Sequence, residues 1–523
     1  MNFKYANVGF MIEPGISIEN LPDDPGELKK LILKYSSEVT ILKETIKIYQ
    51  FKLFGHKSEN LPKIEQPGLF DEAEFELKDI ANEAVEEKIK ITYERLKKPG
   101  KRPLPPDLPR VEKIIDLSDD EKVCSCCGGE LTKFAEETSE KLEIIPQQVY
   151  VIKYIRPKYS CKSCKKNNDS KVITASLPPQ LIPQGIATAS STAFVLKSKF
   201  VDALPYYRQE KIFESLGIDL SRKTMCYWQG YIYHNYLVRL IDLMKRDLKK
   251  SYLIGADETS VQVIVEEDKP PDSKSYMWVY RGYNKDKVVL LFDYEPNRKG
   301  ENPKEYLSGY KGYLQTDGYD GYNLVVRTEK IIHLACWAHV RRKFFNCFKV
   351  LGKNNYPDSN IILEMIQKLY SVEKEAKKAM LDEKGVYELR QNESNPLIEK
   401  IKAWLSNNAE KYPPKSDMGI AINYALKLWD KLIVYLNDGR LPIDNNLVEN
   451  AIRPFVIGRK NWLFSYSENG ADSSAAIYSL VETAKANGKE PFKYLKELFE
   501  KLPLAKDDED YEKLLPYYEP SLF

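Results

Sequence analysis

Cysteine and histidine are scarce in this sequence of 523 residues, which contains eight cysteines and four histidines. So few cysteines in so long a chain exclude a disulfide framework. Five of them crowd into residues 124–164, which is typical of a metal site in a reducing compartment. The chain also has almost no net charge, because its 79 Lys and Arg residues nearly balance its 77 Asp and Glu residues. A nucleic-acid partner would therefore be held by local basic patches rather than by net charge.

Long apolar segments are a second absence. The sequence has no uninterrupted apolar run that could span a bilayer. Its beginning, MNFKYANVGFMIEPG, lacks the apolar stretch and small-residue cleavage site of a secretory signal. We therefore expect a cytoplasmic protein with no membrane partner. Apolar residues still make up 43% of the chain, enough for several cores, and the length predicts roughly three to four domains.

An N-terminal helix is predicted over residues 26–54, in a first segment placed at 1–55. The sequence DDP at 23–25 supplies start signals and Gly55 a stop. Apolar residues recur along the helix at alternating gaps of four and three: Leu28, Ile32, Tyr35, Val39, Leu42, Ile46, Tyr49 and Leu53. This period favours a self-associating coiled coil, and packing on its own domain is the alternative. A charged, proline-rich linker follows at 56–115.

A zinc ribbon is predicted over residues 116–175. Two C-x-x-C pairs supply the four thiolates of a closed, structural zinc site, and they are Cys124, Cys127, Cys161 and Cys164. Cys126 lies inside the first pair and leaves the ligand register open. The stretch QQVYVIKYIRPKYS between the pairs is typical of a strand. Unrelated buried thiols are the alternative.

Residues 176–250 are predicted to be helical and to resemble a helix-turn-helix. One helix ends at Gly217, and Ser221 is the predicted N-cap of the next. Arg222 and Lys223, together with Tyr227, would then be placed to meet DNA. Ordinary packing of two helices explains the same pattern.

From residue 251 the pattern changes to short strands, first in succession and then alternating with helices. This order predicts a mixed β-sheet flanked by helices, and the whole chain is expected to be a multidomain α/β protein. The predicted segments are 251–350 and 441–470 for the sheet domain, 351–440 for a helical insertion and 471–523 for a C-terminal helical region. Breaks in the last helices are predicted near Pro454, Gly470 and Gly488.

Three acidic residues stand out by their context. Asp257 follows the apolar run YLIGA, in the middle or at the end of a central strand, and Asp317 follows GYLQT, where a second strand enters a turn. Glu449 is predicted to lie on a short helix that Asp444 caps. Cutting phosphodiesters with two Mg²⁺ ions requires about three carboxylates around metals roughly 3.5–4 Å apart. Many other triples can be chosen from 77 acidic residues, and the close competitors are Glu258, Asp320 and Asp444.

A series of ordered blocks narrows this choice. They are KLFGHKSE at 52–59, KRPLPPDLPRVE at 101–112, RPKYSC before the second cysteine pair, LPYYRQEKIFESLGIDLSRKTM at 204–225, ADETSVQV at 256–263, LQTDGYDGYN at 314–323, CWAHVRRKFF at 336–345 and PIDNNLVENAIRPFVIGRKNWLFS at 442–465. Through them the chain resembles, over nearly its whole length, the insertion sequence 66 family of bacterial transposases.

The resemblance implies a DDE catalytic domain with a ribonuclease-H-like fold and a helical insertion before its glutamate. Matched residue by residue, the triad is Asp257, Asp317 and Glu449, which we expect to bind two Mg²⁺ (or Mn²⁺) ions. The expected activity is cleavage at transposon ends and strand transfer into target DNA by in-line displacement, without a covalent protein–DNA intermediate.

The resemblance also implies partners. The N-terminal segment, the ribbon and the helix-turn-helix would bind transposon-end DNA or assemble the complex, so the protein would associate with the nucleoid when bound to DNA. The need to hold two ends favours a homodimer or a higher oligomer. Small accessory proteins encoded beside the transposase are further partners that the resemblance suggests.

Residues near the triad have predicted supporting roles. Cys336 and His339 form a C-x-x-H pair that is expected to support the active site structurally. Arginines are few, 17 against 62 lysines, which draws attention to Arg341 and Arg342 because guanidinium groups bind phosphate bidentately. The other predicted DNA contacts follow Glu449, and they are Arg453, Arg459, Lys460 and Trp462. The last three would position phosphates and stack on an unpaired base, or else form a salt bridge beside a buried Trp.

Two other functions fit the same residues. One is a metal-dependent nuclease without strand transfer. The other is a zinc-containing DNA-binding protein, or a domesticated transposase relative, whose catalytic fold is only a scaffold. The intact triad disfavours the scaffold, and the ribbon with the heptad seam disfavours a minimal nuclease.

Overall fold

A computed structural model describes residues 24–54, 110–111, 126, 129, 149–160, 172–284, 286–351 and 357–518. The chain divides into two compact units, residues 1–84 with 178–523 and residues 85–177. Each is described by itself. No helix in the described part of the chain is long and apolar enough to cross a membrane.

The predicted N-terminal helix is confirmed as α1 (Pro25–Phe54). Asp24 Oδ2 accepts a hydrogen bond from Glu27 N at 2.8 Å, which satisfies one of the free amides of the first turn. Five residues of the heptad seam are exposed: Ile32, Tyr35, Val39, Leu42 and Ile46. Self-association through this seam stays a prediction.

In the unit of residues 85–177, β1 (Lys158–Ser160) and β2 (Val172–Thr174) form an antiparallel pair with Tyr159 opposite Ile173. Residues 149–157 have no regular secondary structure, so the strand predicted from QQVYVIKYIRPKYS is limited to its last three residues. The four predicted zinc ligands and nearly all of the linker at 56–115 lie outside the described residues. Cys126 is exposed.

Within residues 178–252, directly before the central sheet, the structure has four α-helices: α2 (Ala189–Phe200), α3 (Tyr206–Ser215), α4 (Arg222–Ile232) and α5 (Val238–Leu248). Gly217 has a φ of +75° after α3, and Ser221 Oγ accepts a hydrogen bond from Thr224 N at 3.2 Å. The predicted turn and N-cap are therefore confirmed. A π-helical turn, Tyr233–Leu237, joins α4 to α5.

The strands after α5 form two sheets in the larger unit. They are β3 (Leu253–Val261), β4 (Val263–Val265), β5 (Ser275–Tyr283), β6 (Val288–Glu295), β7 (Tyr313–Thr316) and β8 (Ile332–Ala335). Short helices α6 (Glu301–Tyr306) and α7 (Asn323–Glu329) flank β7. Five strands lie in the order β6–β5–β3–β7–β8. β3 is antiparallel to β5 and parallel to β7, which confirms the predicted mixed sheet.

The rest of the described chain is almost entirely helical, as predicted. The helices are α8 (Trp337–Leu351), α9 (Pro357–Lys378), α10 (Glu383–Leu389), α11 (Asn395–Asn408), α12 (Asp417–Lys427), α13 (Trp429–Leu432), α14 (Asn446–Trp462), α15 (Glu468–Ala486), α16 (Pro491–Lys501) and α17 (Asp508–Glu512). A short strand that the sequence did not predict, β9 (Ser465–Ser467), pairs in parallel with β4.

One of the three predicted helix breaks, near Pro454, is wrong, whereas the break predicted near Gly470 is found a few residues earlier, at 463–467 between α14 and α15. Pro454 lies inside α14, where a proline removes one backbone hydrogen bond, but its neighbours Ile452 and Phe455 are fully packed in the core. Gly470 lies in the first turn of α15, and its N–H is bonded to Ser467 Oγ at 3.3 Å. First-turn amides have no intrahelical partner, so a glycine there does not end the helix. Gly488, with a φ of +75°, does follow the end of α15.

Helix α15 covers the edge strand β6. Ser479 Oγ accepts a hydrogen bond from Phe292 N at 2.8 Å, and one turn later Thr483 Oγ1 accepts from Leu290 N at 3.0 Å and donates to Leu290 O at 2.8 Å. These hydroxyls satisfy backbone groups that an edge strand would otherwise present to another chain.

Apolar side chains form two cores. The larger core lies between the sheet and helices α2–α5 and α14–α17. The second lies between β8 and helices α8, α9 and α11–α13, with Trp337 and Ile366 fully buried. The helical insertion thus has a core of its own, joined to the sheet at its parallel edge.

Candidate active site

Two of the three predicted acids lie on or directly after neighbouring strands of the central sheet, and the third lies on a helix packed against it. Asp257 is the fifth residue of β3, the middle strand, and Asp317 directly follows the parallel strand β7. Glu449 lies in the first turn of α14. The carboxyl ends of parallel neighbours meet at one edge of a sheet, which brings residues 60 and more positions apart in sequence to one place.

A short segment, Pro442–Asn445, fixes α14 over these strand ends. Pro442 O accepts a hydrogen bond from the Gln315 side chain in β7 at 2.9 Å, and Ile443 O accepts one from Trp337 N at 3.2 Å. Asn445 N donates to Cys336 Sγ at 3.2 Å, and Asn445 Nδ2 donates to Ala256 O in β3 at 3.2 Å. We call Pro442–Asn445 the bridging segment.

Close approach of α14 to β3 requires a glycine. A Cβ at position 255 would overlap Val448 Cγ2 and would lie 3.1 Å from Asn445 Oδ1. Gly255 therefore lets the first turn of α14, with Glu449, settle directly on the strand that carries Asp257.

Like charges make this region electrostatically unfavourable. Burial, then the charge of Glu258, then those of the two other predicted acids raise the pKa of Asp257 well above its ordinary value. Burial also raises the pKa of Glu449, whose side chain is 1% exposed. The charges of Asp317 and Glu449 contribute to the raised pKa of Asp257, and the charge of Asp317 contributes to the raised pKa of Glu449. The three acids therefore lie in one region of negative charge.

Glu449 is bounded by two side chains of α8. Arg342 Nη2 lies 3.3 Å from Glu449 Oε2, and its positive charge opposes the rise in the pKa of Glu449. Glu449 Oε1 is buried and accepts no hydrogen bond from any residue that the structure describes. His339 Nδ1, at 3.6 Å, is too far from this oxygen for a hydrogen bond. A buried carboxylate oxygen without a donor is suited to a cation.

Cys336 and His339 lie beside the acids. Cys336 Sγ, a nitrogen of His339 and a carboxylate oxygen of Glu449 all lie within 4.8 Å of one another, and in the described part of the chain they form the one trio of possible metal ligands that is so tight. The Cys336 thiol is fully buried, and burial raises its pKa above the ordinary value. Zinc would need the thiolate, whereas this thiol accepts the hydrogen bond that holds the bridging segment.

The three competing acids have other partners. Glu258 is paired with Arg298 and accepts a hydrogen bond from Tyr322 Oη at 2.6 Å. Asp320 is exposed and paired with Lys427 at 2.8 Å. Asp444 accepts a hydrogen bond from Asn446 N at 3.2 Å, but the N-cap of α14 is Asn445. The predicted cap at Asp444 is therefore displaced by one residue, and the helix, with 17 residues, is not short.

Predicted DNA contacts divide between the surface and the interior. Arg222, Lys223 and Lys460 are exposed, and Arg453 and Arg459 are half-buried. Arg341, at 3% exposure, lies in the interior, and its prediction as a surface contact for DNA is not supported. Trp462 is half-buried against Phe455, with ring centroids 5.5 Å apart, which agrees with the alternative of a packed Trp.

Several residues that position the site could not be predicted from any pattern in the sequence. The Tyr424 hydroxyl donates to Asp317 O at 2.5 Å from α12, a hundred residues away. Arg390 is 2% exposed and donates to the carbonyls of Tyr435 and Leu441 at 2.8 and 2.9 Å. It thereby holds the chain that leads into the bridging segment. Long-range polar contacts of this kind have no spacing that sequence periodicity could detect.

Comparison with protein-family models shows which family the chain belongs to. The model of the transposase IS66 family matches residues 184–473, more than half of the chain. The chain belongs to the IS66 transposase family. Further models match the zinc-finger binding domain of transposase IS66 at 121–165, the IS66 C-terminal element at 479–517 and "Transposase C of IS166 homeodomain" at 41–112.

Relatives from Sinorhizobium fredii (strain NBRC 101917 / NGR234) are similar over most of the chain. The uncharacterized protein y4qI is 29% identical over 548 residues, covering 96% of this chain and 98% of its own length. The uncharacterized protein y4jD is 28% identical over 523 residues, covering 95% and 97%. The resemblance inferred from the sequence blocks is thus confirmed, and the chain is a transposase of the IS66 family with that family's zinc-finger region.

The contact between Gly255 and α14 leads to a prediction about stability. In this IS66 transposase, Gly255→Ala should lower the free energy of unfolding by about 1–3 kcal/mol, because the new methyl group must displace Val448. The double variant Gly255→Ala/Val448→Ala should recover part of the loss by making room. Urea unfolding measures both.

Gly230→Ala is the matched control, since a Cβ at position 230 in α4 meets nothing within 4 Å. It should leave stability unchanged or raise it slightly, because alanine is the better helix former. Equal stability of the variants at 255 and 230 would show that α14 does not depend on the glycine.

Proposed function

We propose that the protein is a DDE-type DNA transposase in which Asp257, Asp317 and Glu449 are the catalytic triad. The observation that carries the proposal is the convergence of these acids on one region, from the middle of β3, the end of β7 and the first turn of α14. Burial and neighbouring charges raise the pKa values of Asp257 and Glu449 there. A fold does not hold buried carboxylates together for its own stability. The unfavourable free energy of burying these carboxylates together is explained if cations bind between them during function.

A ribonuclease-H-like core is part of the proposal. The mixed five-stranded sheet, helices on both of its sides and a helical insertion between Asp317 and Glu449 support it. We place this core at residues 251–350 and 441–470, with the insertion at 351–440.

The donor set of the triad fits Mg²⁺ or Mn²⁺. These hard ions prefer carboxylate oxygens, and the buried Glu449 Oε1 lacks a donor among the residues described. The three carboxylates are not as tight a trio as the Cys336 group, which is consistent with ligands divided between two ions. When bound, two such ions would activate water and later a DNA 3′-hydroxyl, and would stabilise the leaving oxygen in an in-line displacement.

The chain's own residues prepare this site for its ligands. Arg342 neutralises one oxygen of Glu449 in the metal-free protein and is placed to bind a phosphate once cations take over that role. Burial lowers the pKa of His339 to about 4, so its imidazole is neutral near neutral pH and adds no positive charge. Cys336 supports the site by accepting the amide of Asn445.

Further parts of the chain would hold the DNA. Arg222, Lys223 and Tyr227 share the exposed start of α4 and would contact the transposon end. Arg453, Arg459 and Lys460 would contact phosphates near the triad. The zinc finger, with Cys124, Cys127, Cys161 and Cys164 as ligands, and a coiled coil through α1 would assemble at least a homodimer on transposon-end and target DNA. Small accessory proteins encoded beside the transposase would take part.

Substitution of the triad tests the activity. Asp257→Asn, Asp317→Asn and Glu449→Gln should each reduce Mg²⁺-dependent cleavage and strand transfer by about a thousandfold or more. Binding of the labelled transposon end should survive, because phosphate contacts elsewhere supply it. A gel assay with a target plasmid scores joined, cut and bound DNA separately.

Asp320→Asn is the matched control, because Asp320 is an exposed acid three residues from Asp317, and it should retain activity. Full strand transfer by any triad variant would contradict the assignment. Cleavage without joining in the unaltered protein would favour a nuclease, and binding alone would favour a DNA-binding scaffold.

The raised carboxyl pKa values predict that Mg²⁺ binding releases protons. In the metal-free protein Asp257 and Glu449 have pKa values above their ordinary ones, so they hold protons to a higher pH than free carboxyls. A cation binds the deprotonated forms, so affinity should rise with pH up to those pKa values and then level off. Calorimetry in two buffers of different ionisation enthalpy at about pH 5.5 measures the released protons. Identical heats in the two buffers would contradict the prediction.

Elemental analysis tests the zinc finger. Protein purified without chelator should carry about one zinc per chain, and Cys124→Ser or Cys161→Ser should lose it. The variant Cys126→Ser decides the ligand register, since it should keep the metal if Cys127 is the ligand. Less than about half a zinc per chain in the unaltered protein would contradict a structural site.

A further inference from the structure

A groove of about 510 Å³ lies beside the far end of β3, away from the bridging segment. Its lining includes Ser260, Gln262, Lys274, Arg459, Lys460 and Leu463. We call this the β3–α14 groove, because β3 and the last turn of α14 form its walls. Its size is within the range of pockets that hold a drug-sized ligand such as a nucleotide.

The β3–α14 groove is positively charged. Lys274, Arg459 and Lys460 line it, and Asp272 is the one acidic residue among its lining. Arg459 Nη1 donates to Thr259 Oγ1 at 3.0 Å and to Ser260 Oγ at 3.3 Å. No carboxylate lies within ion-pair distance of Arg459 in the part of the chain that the structure describes. A half-buried guanidinium held only by hydroxyls keeps donors available for an anionic ligand.

Exposed aromatic side chains follow directly on the groove. Phe464 is 45% and Tyr466 71% exposed. Phe464 directly follows the turn at Leu463, and Tyr466 lies two residues later in β9. Leu463 precedes them with a φ of +68°, a conformation that costs a bulky residue about 1–3 kcal/mol and is found at ligand-binding sites. Bonds from Leu463 N to Arg459 O at 2.7 Å and from Ser465 N to Gln262 O at 2.9 Å hold this turn in place.

We infer that the β3–α14 groove binds an unpaired DNA strand next to the strand cut at the acidic site. Lys274, Arg459 and Lys460 would contact its phosphates, and Phe464 and Tyr466 would stack on its bases. The inference rests on the proposed function and adds that the DNA bound beside the triad is single-stranded.

β3 and α14 each run from the proposed triad to the groove, and their lengths give the distance between the two sites. Asp257 and Ser260 are three residues apart in β3, or about 10 Å. Glu449 and Arg459 are ten residues apart in α14, or about 15 Å. The groove would therefore hold the backbone about 10–15 Å from the phosphate at the triad, a few nucleotides away along the strand.

An unpaired strand fits the groove better than a duplex does. Bases in a duplex stack on one another and leave no ring face for Phe464 or Tyr466, whereas unpaired bases gain about 1–3 kcal/mol each from aromatic stacking. A pocket with the volume of a nucleotide-sized ligand is also too small for the width of a double helix. The positive charge of the groove would also suit an acidic protein segment. The experiment therefore includes light scattering, which detects contact between copies of the chain.

Binding of two probes by the full chain tests the inference. The probes are a fluorescein-labelled oligothymidylate and a blunt duplex of equal length, measured by anisotropy without added Mg²⁺. Phe464→Ala/Tyr466→Ala should weaken oligothymidylate binding by about 10–100-fold and change duplex binding by less than about threefold. Lys274→Gln/Lys460→Gln should weaken it too and reduce the slope of log affinity against log salt by about one to two.

Controls come from the helical insertion, where Tyr387 and Lys377 are also exposed. Tyr387→Ala and Lys377→Gln should bind both probes as the unaltered protein does. The inference is overturned if the aromatic variant binds oligothymidylate normally, or if it loses duplex binding equally. Loss of self-association in light scattering with unchanged DNA binding would also overturn it, since the surface would then be a contact between copies.

The outcome is separable from that of the proposed function. If the unaltered protein cleaves transposon ends while the groove variants bind oligothymidylate normally, the groove inference fails and the transposase activity stands. If cleavage is absent while single-strand binding still depends on Phe464 and Tyr466, the activity fails and the groove inference stands.

Discussion

The attachment of α14 to the sheet through the bridging segment is the constraint on which the site depends. Glu449 is separated from Asp317 by a long helical insertion with its own core, and an insertion of that length would place the glutamate loosely if only its ends were joined. Instead, Arg390 binds the carbonyls of Tyr435 and Leu441, and the next four residues bond to β7, to the start of α8 and to β3. Each hydrogen bond contributes only modestly to stability, but together they fix the position of the first turn of α14 relative to the sheet.

The same attachment brings buried like charges together in the candidate site. Bringing Glu449 to the ends of β3 and β7 raises the pKa of both Glu449 and Asp257, which destabilises the folded state at neutral pH. Arg342 reduces this cost at one oxygen only. Glu258, the nearest competitor, has its charge offset by Arg298 and its hydrogen bond supplied by Tyr322. The contrast is informative, because the Glu258 carboxylate has its partners within the protein, whereas Glu449 keeps a buried oxygen without a hydrogen-bond donor among the described residues.

Much of the fold could be predicted from local pattern. The β-rich runs after residue 251 became strands, and the start of α4 at Ser221 followed from cap chemistry. Predictions failed where tertiary packing overrides a local preference. Pro454 does not end α14 because apolar neighbours hold the helix in the core, and Arg341, one position from Arg342, is buried. An arginine pair gives no indication of which member faces the interior. The three acids were predicted with the help of family resemblance and stay a prediction. Gly255, Gln315, Tyr424 and Arg390 act through contacts between distant segments that one sequence does not reveal.

Rigid elements connect the triad to the β3–α14 groove, and this has a consequence for how DNA would be positioned. β3 carries Asp257 and leads to Ser260, and α14 carries Glu449 near its start and Arg459 in its last turn. The bonds of Arg459 to Thr259 and Ser260 join the two elements at the groove end, as Asn445 joins them at the triad end through Ala256. Two elements fixed to each other at both ends allow only small changes in the distance between the proposed catalytic carboxylates and the proposed phosphate contacts. A strand held at the groove would therefore present the same phosphate to the triad each time, which is the positioning that in-line displacement requires.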